Sequence, residues 1–163
     1  MSGRLATRTA NFRVKMNPTI EAFGYPENLI KEYRHWVVLI RPEQVTVGSL
    51  VLAAKDNVAR LGDLSSGAWA EFATVSKEME NLLAETFGAE KFNYLALMMV
   101  DPNPHFHFIP RYSKPVEIGG RQFVDRDWPK KTELNPIDLD NQTLDLITAK
   151  LRQGSRASGR GSY

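Results

Sequence analysis

A chain of 163 residues, 42% of them hydrophobic, is long enough to bury one core unaided by disulfides or metal. It has no cysteine, which excludes disulfides, thiolate nucleophiles and cysteine-bound zinc and fits a reducing, cytoplasmic setting. Its basic excess sits at the ends: residues 1–15 and 152–163 hold seven basic and no acidic residues, so the stretch between carries 14 basic against 19 acidic residues, a formal charge of −5. A body of that sign offers no general grip on nucleic acid, and no specific nucleic-acid partner is expected. No apolar run of about 18 residues occurs and no apolar block lies near the start, so neither a membrane span nor export is predicted. Residues 1–15 read as a flexible basic extension, 16–151 as a single domain and 152–163 as a flexible basic tail.

In chain order, "EYRHWVVLI" (32–40) and "SLVLAAK" (49–55) are β-branched, apolar runs flanking a turn-rich connection with Pro42 and Gly48. They predict an antiparallel pair. Within "DLSSGAWAEFATVSKEMENLLAETFG", Trp69, Phe72, Val75, Met79, Leu82, Leu83 and Phe87 recur at helical spacing between an N-cap at Ser65 or Ser66 and a C-cap at Gly88. That predicts one long amphipathic helix whose apolar stripe is core. Strands are expected again at 91–100 and 105–112, joined by "DPNP", whose two prolines cannot continue a ladder and so make the strands neighbours. Beyond Tyr112, "IGG" and "DWP" mark irregular surface chain, with Trp128 docked on the body. A last helix is expected at 139–151, with Asp140 as cap and Leu144, Ile147 and Leu151 on one face. The sum is an α+β domain: an antiparallel sheet of about five strands packed by one long helix, with a C-terminal helix.

The segment "DPNPHFHFIPRY" (101–112) holds two of the three histidines. On a strand, His105 and His107 point to one face while Phe106 and Phe108 point to the other, which should be the face under the long helix. Imidazoles so paired are a strand's polar face in water, or a place for proton-transfer chemistry, or two metal ligands. A metal site would need a third ligand such as His35 or Asp101, and no spaced partner is offered, so no metal is assigned. His35, beside Trp36, reads as a partly exposed structural histidine.

Order and motif together resemble the histidine triad (HIT) superfamily of nucleotide hydrolases and transferases, over roughly residues 20–112. "NPHFHFIPR" is similar to the family's run of three alternating histidines, with His107 at the third position, His105 at the middle one and Asn103 at the first. "FGYPENLI" and "WVVLIRPEQVTVGSLVL" followed by a helix look most like the fragile-histidine-triad and diadenosine polyphosphate hydrolase branch. The resemblance implies that His105 is the nucleophile toward an α-phosphate and that His107 donates to a phosphate oxygen or leaving group. Asn103 would support the nucleophile by hydrogen bonding, and Arg111, on the same alternation, would add positive charge unless it is a surface arginine. Ile30, Leu39 and Val51 match the family's apolar nucleoside slot, though each is equally a core position. Two matches depart from the family: Arg41 stands where a ribose-binding Asn is usual, and Ser49 where a further histidine is usual. The loop before the triad also lacks a Gly-Gln stretch.

What the resemblance implies is a nucleotide hydrolase or nucleotidyl transferase acting on dinucleoside polyphosphates, or related phosphoanhydrides and phosphoramidates, through a nucleotidyl-histidine intermediate. The alternative is a nucleotide-binding module with a degenerate triad and no turnover. No bound cofactor is expected, Mg²⁺ entering if at all with substrate, and the resemblance implies a homodimer.

Overall fold

The structure, a computed structural model, describes residues 15–158. The N-terminal extension, Lys15 apart, and the last five residues of the tail lie outside the described residues. The elements run α1 (Pro18–Ala22), β1 (Leu29–Glu32), β2 (Trp36–Ile40), β3 (Leu50–Ala54), α2 (Ser66–Phe87), β4 (Lys91–Leu95), β5 (His105–Arg111), β6 (Val116–Ile118), β7 (Arg121–Phe123) and α3 (Asn141–Ser158). Five strands form one antiparallel sheet in the order β1-β2-β3-β5-β4, and β6 and β7 form a separate hairpin. The fold is the α+β arrangement expected.

Why β2 and β3 are apolar at every position follows from the sheet being covered on both faces. Trp36, Val38, Ile40, Leu50, Leu52 and Ala54 join the large core beneath α2 and α3. Val37, Leu39, Val51 and Ala53 join Ile20 of α1 in a second, smaller core. The long helix begins where Ser65 accepts the Ala68 N–H at 3.1 Å and ends at Gly88, whose φ of +77° is a left-handed stop that glycine adopts without strain. Phe106 stacks on Phe72 of α2 with centroids 4.9 Å apart, and Phe108 is fully buried, so the phenylalanine face lies under the helix as expected.

Four boundaries differ from the sequence reading, the first and the last for a non-local reason. The run 32–40 is the second half of a hairpin: the chain turns at 33–35, where Glu71 of α2 accepts the backbone N–H groups of Arg34 and His35. The run 91–100 stops pairing at Leu95, and Met98 takes a left-handed φ of +41°. The joint to β5 is therefore longer than "DPNP", although β4 and β5 do pair. The stretch after Tyr112 contains the β6–β7 hairpin, turning at Gly119 and Gly120. Finally, α3 continues to Ser158, seven residues into the segment read as tail. There Arg152 donates to the carbonyls of Leu29 and Glu27 at 2.9 and 2.6 Å, and Gly154 lies against Leu82 of α2, where a Cβ would come within 2.5 Å.

No helix among the described residues is long and apolar enough to cross a membrane.

Candidate active site

The pairing of β3 with β5 sets Val51 opposite His107 and Ala53 opposite His105, small or slender neighbours that leave the imidazoles room on the α1 face. The ring centroids of His105 and His107 are 5.0 Å apart. Both rings are nearly dry, at 2% and 8% exposure. The ring of Phe23, at the C-terminus of α1, covers them, 5.2 Å from His105 and 5.8 Å from His107 between centroids.

His105 Nδ1 lies 2.8 Å from the main-chain carbonyl of Asn103. A carbonyl only accepts, so Nδ1 carries the hydrogen and neutral His105 presents the Nε2 lone pair. His107 has no such holder among the described residues: its Nδ1 is buried without a hydrogen-bond partner there. Burial first, then the charges of Arg41 and His105, push its pKa down to about 4. Arg41 is therefore close enough to be felt by His107, and its own Nη1 is also buried without a partner among the described residues. Burial lowers the Arg41 pKa while Glu43 raises it. The guanidinium of Arg41, with an unpartnered buried nitrogen, disfavours a proton on the neighbouring His107, and an anion set between them would satisfy the one and favour protonation of the other.

Of the other residues singled out from sequence, Leu39 and Val51 lie on this face in the smaller core. Ile30 does not. The β1–β2 register is irregular between Leu29 and Lys31, which sends Ile30 to the α2 core and leaves Leu29 packed on the histidine side. Ser49 is fully buried, its hydroxyl donating to the Thr46 carbonyl at 2.7 Å and accepting from the Val45 and Thr46 N–H groups. With Gln44, which donates to the carbonyls of Arg41 and Ser49, it closes the β2–β3 connection on itself. Its hydroxyl is thus spent on the loop. Arg111 is likewise committed, neither at the surface nor free for a phosphate: it forms a two-bond ion pair with Asp125 at 2.6 and 3.1 Å and donates to Asn93 and to the Lys130 carbonyl. Asn103 supports His105 through its backbone carbonyl, while its side-chain amide serves Thr19, Asn57 and Val58. His35 sits in the β1–β2 turn, partly exposed. Among the described residues no three His, Cys, Asp or Glu side chains gather to hold a metal ion.

Phe23, Thr19 and Asn17 belong to the site and were not singled out. The signal was Asn17-Pro18, an N-cap followed by proline at the first helical position; Asn17 Oδ1 accepts the Ile20 N–H at 3.1 Å.

No protein-family model matches the sequence, and no curated protein does. Solved structures match in fold. A histidine triad protein from Bradyrhizobium japonicum aligns with a TM-score of 0.58 at 21% identity, over 78% of this chain and 91% of its own. One from Sinorhizobium meliloti gives 0.65 at 16%, over 86% and 96%. The chain has the histidine triad fold. Plasmodium falciparum diadenosine triphosphate hydrolase, solved with cyclomarin A, shares this histidine triad fold at a TM-score of 0.57 and 10% identity, over 83% of this chain and 79% of that one.

Proposed function

We propose that the protein is a histidine triad hydrolase or nucleotidyl transferase acting on dinucleoside polyphosphates, or on related nucleotide phosphoanhydrides and phosphoramidates. The observation that carries the reading is the Asn103 carbonyl on His105 Nδ1, which aims an unprotonated Nε2 into a site where His107 and Arg41 hold unpartnered nitrogens. The Nε2 lone pair attacks the α-phosphorus, a P–N bond to His105 forms, and the bond from phosphorus to the leaving group breaks, to oxygen in a phosphoanhydride and to nitrogen in a phosphoramidate. Arg41 sets fixed positive charge beside the phosphate. The phosphate's negative charge raises the depressed pKa of His107, which takes up a proton from water and then gives it to the leaving group or hydrogen-bonds a non-bridging oxygen. Water or another acceptor attacks next, the P–N bond breaks, and His105 is regenerated.

Phe23 supplies an apolar wall for a nucleoside, and Leu39 and Val51, fully buried beneath α1, add to it only when that cover moves. The step needs no resident cofactor, and Mg²⁺ would arrive on the substrate phosphates. A homodimer belongs to the same reading, supported by the edge position of β4 and the exposed Leu97, Met99 and Val100 that follow it. Sedimentation of a monomer at micromolar concentration would count against it.

The test is incubation with diadenosine tetraphosphate, diadenosine triphosphate and an adenosine phosphoramidate, with and without Mg²⁺, wild type beside His105→Ala. Loss of the nucleophile should cost several orders of magnitude in rate. Mononucleotide released by wild type alone supports the reading. The cover of Phe23 over both rings favours one alternative, a binding module without turnover: wild type would then be inert on all three substrates, and wild type and His105→Ala would bind nucleotide equally.

A further inference from the structure

Thr19, in the first turn of α1 and 1% exposed, meets Asn103 twice. Its hydroxyl donates to the Asn103 side-chain oxygen and accepts the Asn103 backbone N–H, both at 3.1 Å. A hydroxyl that gives and takes with one residue fixes that residue's main chain and side chain together. From the other side, Asn103 Nδ2 donates to Asn57 Oδ1 at 3.1 Å and to the Val58 carbonyl at 3.0 Å. The carbonyl left to Asn103 is the one that accepts from His105 Nδ1.

The helix that carries Thr19 is itself pinned. Asn17 Nδ2 donates to the Ala54 carbonyl at 2.8 Å, and the Ala54 N–H donates to the Pro104 carbonyl at 3.0 Å. Asn17, Ala54, Pro104, Asn103 and Thr19 thus close a ring of bonds around the start of β5. Thr19 is the link in it between α1, which also brings Phe23 over the imidazoles, and the residue that holds the nucleophile.

We propose that Thr19 is a positioning residue: through Asn103 its hydroxyl sets the carbonyl that keeps the hydrogen of His105 on Nδ1 and the lone pair on Nε2. The catalytic consequence rests on His105 being the nucleophile, as proposed above; the tautomer does not. Losing the hydroxyl leaves the Asn103 N–H buried and unpaired, so the loop must shift to find it a partner, and the carbonyl moves with it. A hydroxyl that only satisfied its neighbours would alter stability and leave the tautomer alone.

Nitrogen-15 spectra of the imidazoles read the tautomer directly, whether or not the protein turns over. The comparison uses wild type, Thr19→Val, Thr19→Ser and Met79→Ala, the last a loss of core packing on the opposite face of the sheet. Wild type and Thr19→Ser should show His105 with hydrogen on Nδ1, and Thr19→Val a mixture with the Nε2–H form. The rate constant kcat should fall about 10- to 100-fold in Thr19→Val, the usual range for a partner that orients a working histidine, with KM little changed. Met79→Ala should lower Tm and leave tautomer and kcat as in wild type. Should Thr19→Val not fold, Thr19→Cys, a weaker donor and acceptor, serves in its place. An unchanged tautomer ratio in the Thr19 variant, or an equal change in Met79→Ala, overturns the proposal. If the tautomer responds but wild type hydrolyses none of the substrates, the functional reading falls and the positioning role stands. If His105→Ala abolishes turnover while the tautomer is indifferent to Thr19, the reverse holds.

Discussion

At neutral pH the imidazole of His107 is uncharged in the fold, because burial, Arg41 and His105 hold its pKa at about 4. In the unfolded chain the same group takes up its proton near 6.5. Between those values the unfolded chain binds more protons than the folded one, so the fold loses stability as pH falls from about 6.5, and the loss is complete near 4. The whole effect is at most about 3 kcal/mol. Urea unfolding at pH 7 and at pH 4.5 should show that His107→Asn lacks this part of the acid sensitivity; an equal loss in both proteins would remove the cause assigned here. Arg111 shows how alternation along a strand can mislead. It does share the parity of the histidines, yet Asp125, 14 residues on, turns it into a strut for the segment that carries Lys130. No local pattern announces that pair.

α3 carries the clearest contrast at the scale of elements. Its basic, glycine-containing end looks like solvated tail, but Arg152 binds two carbonyls at the start of β1, and Gly154 lets the helix approach Leu82. A chain cut after Leu151 loses that clamp. Hydrogen bonds from a charged donor are worth about 1.5–3 kcal/mol, so thermal melting should fall by several degrees relative to a chain cut after Ser158. Equal melting points would return residues 152–158 to the tail. The elements legible in sequence are those whose cause is local: α2, with its spaced apolar residues, serine cap and Gly88; the β2–β3 pair; and the Pro-flanked histidine strand. Most of those that were not legible depend on distant partners; the β6–β7 hairpin, turning at Gly119 and Gly120, is a local element read as loop. The turn at 33–35 is made by a helix carboxylate rather than by glycine or proline, and Ile30 changes face because of a one-residue irregularity in pairing. The imidazole pair followed from alternation alone, whereas Ser49 was expected in the site on resemblance and is spent inside its own loop.

At the scale of the molecule, the described residues form a five-stranded sheet between two unequal cores, with the β6–β7 hairpin apart from it. The larger gathers α2, α3 and the β6–β7 hairpin; the smaller has Ile20, Val37, Leu39, Val51 and Ala53 fully buried and is closed by a helix of five residues. A short helix over a small apolar set opens more cheaply than the body it rests on. Hydrogen exchange should therefore release the amides of Ile20 and Glu21 well before those of Leu52 and Phe108; simultaneous release would make α1 part of the global unit. The histidines lie on the side expected to open first. On the proposed reading, a nucleotidyl group carried by His105 would wait beneath Phe23, and its fate would be settled by which acceptor enters when that ring swings aside. Hydrolysis and transfer are then not two designs but two outcomes of one competition, decided by timing at a single aromatic side chain.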